Sequence, residues 1–277
     1  MRWLLLLAAT TSVAHAQSAP CITSFRSAEG VEVRGGAVSF CDDETPKKQK
    51  CFAIDLATGK VTSAKRPEPT STSSGPTLEI NGKKAKACAA GRCKTLKPRA
   101  RVDEGLGMHG NVRGNLVVLV NLGEVETFAL KTGKRIGGFT AGNGDCTTVT
   151  LVADDVLLVQ NRFCGDDEKG THYFATPKGK RIAVVGGTKP IEVGAPAELG
   201  AQVAFVSMKS DEVVVHDVKT GAVARRIPLG NADEAWPVIE GDDKRLVVVF
   251  GGARAGDLAV VELATEKVTT HAAKRCE

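Results

Sequence analysis

One short pattern recurs along this chain of 277 residues and limits what it can fold into. In Cys51–Val61, CFAIDLATGKV, Phe52 and Ile54 alternate with smaller or polar neighbours, the period of a half-buried strand. Asp55 to Gly59 then supply turn chemistry: an aspartate that can bond the local backbone and a glycine that tolerates positive φ. Lys60 and Val61 restart the alternation. The same strand–turn–strand unit returns as TFALKTGKRI (Thr127–Ile136), YFATPKGKRI (Tyr173–Ile182) and VVVHDVKTGAV (Val213–Val223). It returns again as LAVVELATEKV (Leu258–Val268), with Glu266 where the glycine belongs. Ala87–Leu96, ACAAGRCKTL, reads as a shortened copy around Gly91.

The turn positions Gly91, Gly133, Gly179, Gly221 and Glu266 are 42, 46, 42 and 45 residues apart, and only the step from Gly59 to Gly91 is short, at 32. A period in the low forties with a hairpin in each unit is the spacing of β-propeller blades of about four strands. A single such sheet cannot bury both faces, so the units must stack. The expectation is therefore an all-β chain, a β-propeller of four-stranded antiparallel sheets, with six blades for the six hairpins and seven as the alternative. Apolar runs precede four of the turns: Leu116–Val120, Val156–Val159, Val203–Val206 and Leu246–Phe250. They read as inner strands buried on both faces. No long stretch has a 3.6-residue apolar period, so almost no helix is expected.

The repeats AIDLATGK (Ala53–Lys60) and VHDVKTGA (Val215–Ala222) resemble the blades of quinoprotein-like and similar bacterial β-propellers. The resemblance covers most of the chain after the leader and implies the fold; the shared turn occurs in propellers of unrelated function. Enzymatic quinoproteins resemble one another in a tryptophan-rich packing motif, whereas the chain after its leader carries only Trp236. No quinone or other cofactor is expected on that basis.

Met1–Ala16, MRWLLLLAATTSVAHA, has a positive start, a short apolar run and small residues at Ala14 and Ala16. These are the three parts of a secretory signal, with cleavage expected before Gln17. Residues 17–277 then form one propeller domain. No apolar run approaches the ~20 residues of a membrane span. The expected localisation is export, to a periplasm or the extracellular medium. All eight cysteines follow the leader, as an oxidising compartment allows. Eight cysteines permit 105 pairings, and local spacing suggests one set. Cys88 and Cys93 flank the turn AAGR, Cys41 and Cys51 bracket a charged loop, and Cys146 and Cys164 bracket VTLVADDVLLVQ. Cys21 and Cys276 remain, near the two ends. A closed propeller that joins its first and last strands in one blade would be locked by that bridge, worth about 5 kcal/mol in the chain-entropy account. Metal ligation is disfavoured, because no second Cys or His pair lies at zinc-site spacing.

Val31–Phe40 reads as a hairpin about Gly35 and Gly36, and Arg66–Pro76 as an exposed connector. The formal net charge is +5, and +4 without Arg2; with the basic KPRAR of Lys97–Arg101 this is a charged surface and no nucleic-acid partner is expected. Gly105–Gly110, GLGMHG, matches G-x-G-x-x-G in letters, but the nucleotide fingerprint needs a following helix, and NVRGNLVVLV follows here. His172, His216 and His271 fit no ligand motif, and His216 reads as a packing or surface residue of a strand. His109, in the glycine loop, and Trp236, in DEAWPVIE, are the candidate binding-loop residues; a tryptophan there can be an exposed anchor or a packing residue. The acidic clusters Asp166–Glu168 and Asp242–Asp243 lack calcium-loop spacing. No G-x-S-x-G occurs. The functional expectation is an exported, monomeric, non-enzymatic scaffold that binds a protein or small ligand at one propeller face. The alternative is a degenerate quinoprotein-like oxidoreductase or a hydrolase with dispersed carboxylates.

Overall fold

A computed structural model describes residues 32–34, 36–41, 50–65, 75–82, 84–99, 108–142, 147–161, 171–191, 196–207, 212–230, 238–241, 244–250 and 257–272. Among the described residues there is no helix, and the strands form six antiparallel sheets. Sheet 1 holds β1 (Glu32–Arg34), β2 (Ala37–Cys41), β3 (Cys51–Asp55) and β4 (Val61–Ala64). Sheet 2 has three strands: β5 (Thr77–Asn81), β6 (Lys84–Ala89) and β7 (Arg92–Leu96). Sheet 3 holds β8 (His109–Arg113), β9 (Leu116–Asn121), β10 (Glu124–Ala129) and β11 (Arg135–Thr140). Sheet 4 holds β12 (Thr147–Ala153), β13 (Val156–Asn161), β14 (His172–Ala175) and β15 (Arg181–Val184). Sheet 5 holds β16 (Ala197–Leu199), β17 (Gln202–Val206), β18 (Glu212–Asp217) and β19 (Val223–Pro228). Sheet 6 holds β20 (Val238–Gly241), β21 (Arg245–Val249), β22 (Leu258–Glu262) and β23 (Lys267–His271).

Each sheet is a meander of consecutive strands, and the core lies between sheets. One apolar cluster joins sheets 2 and 3 around Ala87, Leu96, Val117 and Phe128. The next joins sheets 3 and 4 around Val118, Val125, Leu157 and Tyr173. Sheets 4 and 5 meet at Leu158, Phe174, Val203 and Phe205. Sheets 5 and 6 meet at Val215, Ile227, Leu246 and Phe250. Sheet 6 then packs on sheet 1 through Val247, Val249 and Leu258 against Phe40, Phe52 and Ile54. This stacking of four-stranded meanders, with the last sheet against the first, is a β-propeller arrangement. The first strands converge on its middle. Arg113, at the end of β8 in sheet 3, reaches past the Leu151 carbonyl of sheet 4 (3.3 Å) to Glu198 of β16 in sheet 5 (2.7 Å).

The apolar runs are the second strands β9, β13, β17 and β21, inner strands as expected. Burial on both faces is right: Val117, Val118, Val203, Ala204, Val247 and Val248 are all inaccessible. A strand flanked by two others and two neighbouring sheets has no wet side. The first and last strands do not share a sheet among the described residues. Among the described residues, sheets 1 and 6 meet side chain against side chain. Ala87–Leu96 is a hairpin, but its turn joins the second and third strands of sheet 2. Successive antiparallel strands reverse direction, so this turn lies at the opposite end from the other repeat turns. That accounts for the short step to Gly91.

The other repeat turns obey one rule. Gly59, Gly133, Gly179 and Gly221 all have φ between 67° and 85°, and each sits against the outermost strand of the sheet before it in the ring. Gly133 faces Lys94 of β7, Gly179 the Phe139 ring of β11, and Gly221 Ala183 and Phe174 of sheet 4. Gly59 faces His271 of β23, so the same contact closes sheet 1 onto sheet 6. The His271 ring also reaches the Leu56 carbonyl (3.2 Å). In two turns an aspartate locks the loop. Asp55 accepts from the Thr58 amide and hydroxyl (2.7 Å each), and Asp217 from those of Thr220 (2.8 and 2.7 Å). The threonine bonds hold both carboxyls below their usual value. Sheet 6 has Glu266 at the glycine position, at φ 57°, and its carboxylate approaches Arg225 of β19 (3.9 Å).

Candidate functional site

The structure contains two of the expected disulfides, Cys41–Cys51 and Cys88–Cys93. Each joins residues directly opposite on neighbouring strands. Side chains alternate along a strand, so Cys41 and Cys51 face away from the Phe40 and Phe52 side, and Cys88 and Cys93 away from the Ala87 side. Both bridges therefore lie on the two sheet faces between which no apolar cluster forms among the described residues. On sheet 2 that face carries Thr77, Glu79, Lys84, Lys86 and Thr95, all exposed, with Lys86 3.6 Å from Glu79. Cys21, Cys146, Cys164, Cys276, Trp236 and both acidic clusters lie outside the described residues.

His109 is not in a loop: it is the exposed first residue of β8. Gly110, next to it, lies in the same strand, and a Cβ there would collide with the Val118 carbonyl. The glycine motif thus feeds a strand rather than a helix. His216 is a packing residue, fully buried between Phe174 (5.2 Å) and Phe205 (5.8 Å). Its Nε2 accepts from the Gly186 amide (3.1 Å) and its Nδ1 lies 2.8 Å from the Gly221 carbonyl. An amide can only donate, so Nε2 must be unprotonated and Nδ1 carries the proton. Burial lowers its pKa below 6.5, helped by the Arg226 charge and opposed by the Gly221 bond. His216 is a neutral tie between sheets 4 and 5, not a proton shuttle.

The most site-like feature lies beside the stretch that follows β7. The chain continues through Lys97 and Pro98, and the Arg99 amide donates to Glu126 Oε2 of sheet 3 (2.6 Å). The other oxygen of Glu126 accepts from Arg135 Nε (2.7 Å). Glu126 is opposite Gly138 in the β10–β11 register, and a Cβ at Gly138 would collide with the Arg135 guanidinium. Glycine there makes room for the ion pair over a carboxylate that is only 4 % exposed. Beside this ion pair, along β10 and β11, lies a cavity of about 590 Å³. Arg99, Glu124, Glu126, Arg135, Phe139 and Thr140 are among its walls. The Glu124 carboxylate at its rim accepts from the Thr140 hydroxyl (2.8 Å). Both oxygens of Glu126 are committed to fixed donors, which makes it an anchor of the wall and an unsuitable general base. Sequence reading missed this recess. Its signals were the early Pro98 after β7 and the paired glycines of RIGGF (Arg135–Phe139).

No protein-family model and no curated protein sequence matches the chain. Solved structures do resemble it. One is a chain of a mitotic checkpoint complex, at 15% identity and TM-score 0.48 over 72% of this chain and 60% of the other; the chain thus spans less than two thirds of that relative's length. Another is Hsv2 of Kluyvelomyces marxianus, at 14% identity and TM-score 0.43 over 77% and 70%. Both are WD40-like propellers. The computationally designed Ika8 protein is similar at 13% identity and TM-score 0.40 over 93% and 91%. These likenesses are of fold alone; the propeller assignment rests on the sheet order and the inter-sheet clusters.

Proposed function

We propose that the chain is an exported, non-enzymatic propeller of six blades that binds a protein or small ligand, and that the recess along β10 and β11 is where it does so. The observation that carries this reading is the recess itself. It is open, it is walled by charged and polar groups, and its buried carboxylate is held by Arg135 and the Arg99 amide. Such a wall orients a ligand without moving a proton. Export is supported by the leader-like Met1–Ala16 and by two cross-strand disulfides. The test is a photo-crosslinking amino acid at Thr140, on the recess wall, in the chain expressed in its source cell. One partner captured from Thr140 and not from the exposed Thr62 of sheet 1 is the expected result. No partner from Thr140 overturns the reading. A quinone or metal retained in the native mass spectrum replaces it with the oxidoreductase alternative.

A further inference from the structure

We infer that residues 185–191, which follow β15, are an acid-released strap over the apolar seam between sheets 4 and 5, with His216 as its latch. The strap continues sheet 4 but is held by sheet 5. Val185, 1 % exposed, and the half-buried Ile191 are its apolar contacts, packed with Phe174, Val203, Phe205 and Val218. Between them, Gly186 gives both of its backbone polar groups to sheet 5. Its amide donates to His216 Nε2 (3.1 Å), and its carbonyl accepts from Arg226 Nη2 (2.5 Å). The same nitrogen reaches the Lys189 carbonyl (3.3 Å), and Arg226 Nη1 donates to Glu212. Gly186 has a φ of 85°, and a Cβ there would collide with the Lys189 carbonyl. The strap is therefore wound tightly about the residue that sheet 5 clamps.

The two arms of the clamp respond differently to acid. Arginine stays charged, whereas His216 can accept only while it is neutral. A proton on Nε2 turns the acceptor into a donor aimed at the Gly186 amide. The new charge would be buried against Phe174 and Phe205, and Arg226 would repel it. The remaining charged groups give no relief. Asp217, next on β18, bonds Thr220, Glu212 is engaged with Arg226, and Arg181 of β15 lies over Tyr173. Lys189 and Lys219 are exposed cations. Lifting the strap lets water reach the ring while the pairing within sheets 4 and 5 stays intact, so local opening costs less than unfolding a sheet. Once released, the ring titrates near its ordinary 6.5; in place, burial holds it lower. The latch is therefore at full strength above pH 6.5. Its opening constant rises by up to about tenfold per pH unit below that, until the folded pKa is reached.

The experiment is amide hydrogen exchange read by NMR on the full chain at about pH 7.5 and 5.0, each rate divided by the intrinsic rate at that pH. The Gly186 amide should lose at least about tenfold in protection at the lower pH. The Val203 and Phe205 amides of β17 should keep theirs. His216→Gln supplies a side-chain acceptor that does not titrate, so Gly186 protection should become the same at both pH values. In the unaltered chain, the ring nitrogen shifts of His216 should show protonation over the pH range in which the strap opens, a readout that stands even where the variant does not fold. Four results overturn the inference. They are Gly186 protection unchanged at the lower pH, equal loss at β17, the same loss in folded His216→Gln, and a ring still neutral where the strap opens.

Discussion

Replacing Gly221 by alanine tests the rule that links turn conformation to ring packing. Two costs add at this position. The residue sits at φ 67°, where an L side chain costs roughly 1–2 kcal/mol. Its new Cβ would lie 2.5 Å from Ala183 Cβ and 3.2 Å from the Phe174 ring, and overpacking of a fitted core costs about 1–3 kcal/mol. Alanine returns roughly 0.4–1 kcal/mol by stiffening the unfolded chain. The net expectation is a loss of about 2–4 kcal/mol. Gly36 supplies the control: its φ is 80°, yet nothing lies within 4 Å of its would-be Cβ. Gly36→Ala should lose only about 1 kcal/mol, the conformational part alone. Urea unfolding, with midpoints compared at constant slope, separates the two. Equal losses at Gly36 and Gly221 would refute the claim that the repeat glycine serves inter-sheet contact as well as turn geometry.

Three further outcomes follow from the same geometry. Glu266→Gly relieves a positive-φ residue at the expense of a weak ion pair and some chain entropy, so urea midpoints should rise by the equivalent of about 0.5 kcal/mol. Removing Cys41–Cys51 and Cys88–Cys93 by paired Cys→Ser changes should cost about 3 and 2 kcal/mol, following their loop lengths, with unfolding curves in oxidised and variant protein as the measure. His216 is neutral when folded and its pKa is lowered. The unfolded chain therefore takes up the proton first as pH falls below 6.5, and His216 contributes its full stability above that value and loses it as pH drops toward the folded pKa. Nitrogen shifts showing the ring charged at pH 6.5 in the folded protein would contradict the Gly186 bond.

The repeat turns show what was legible along the chain. A strand–turn–strand unit with Asp, Thr and Gly at fixed offsets is local chemistry: the side chain bonds the adjacent backbone and the glycine takes the left-handed turn. Those interactions span at most a few residues, so sequence alone determined the all-β class, the hairpins and two of the disulfides. The buried runs were legible too, since Val and Leu repeated without polar interruption need cover on both faces. Their place as second rather than innermost strands was not, because burial says nothing of order within a sheet.

Tertiary structure decided what depends on neighbours distant in sequence. That Gly221 presses on Ala183, and Gly59 on His271 at the opposite end of the chain, follows only once the sheets stack in a ring. That Glu126 anchors the Arg99 amide depends on sheet 3 packing beside the end of sheet 2. His216 shows the same division. Its alternation in a strand was visible, but only the amide of Gly186 from the adjoining sheet fixes which ring nitrogen holds the proton. Local turn chemistry is written in consecutive residues, whereas a recess and a tautomer are made by surfaces that only meet after folding.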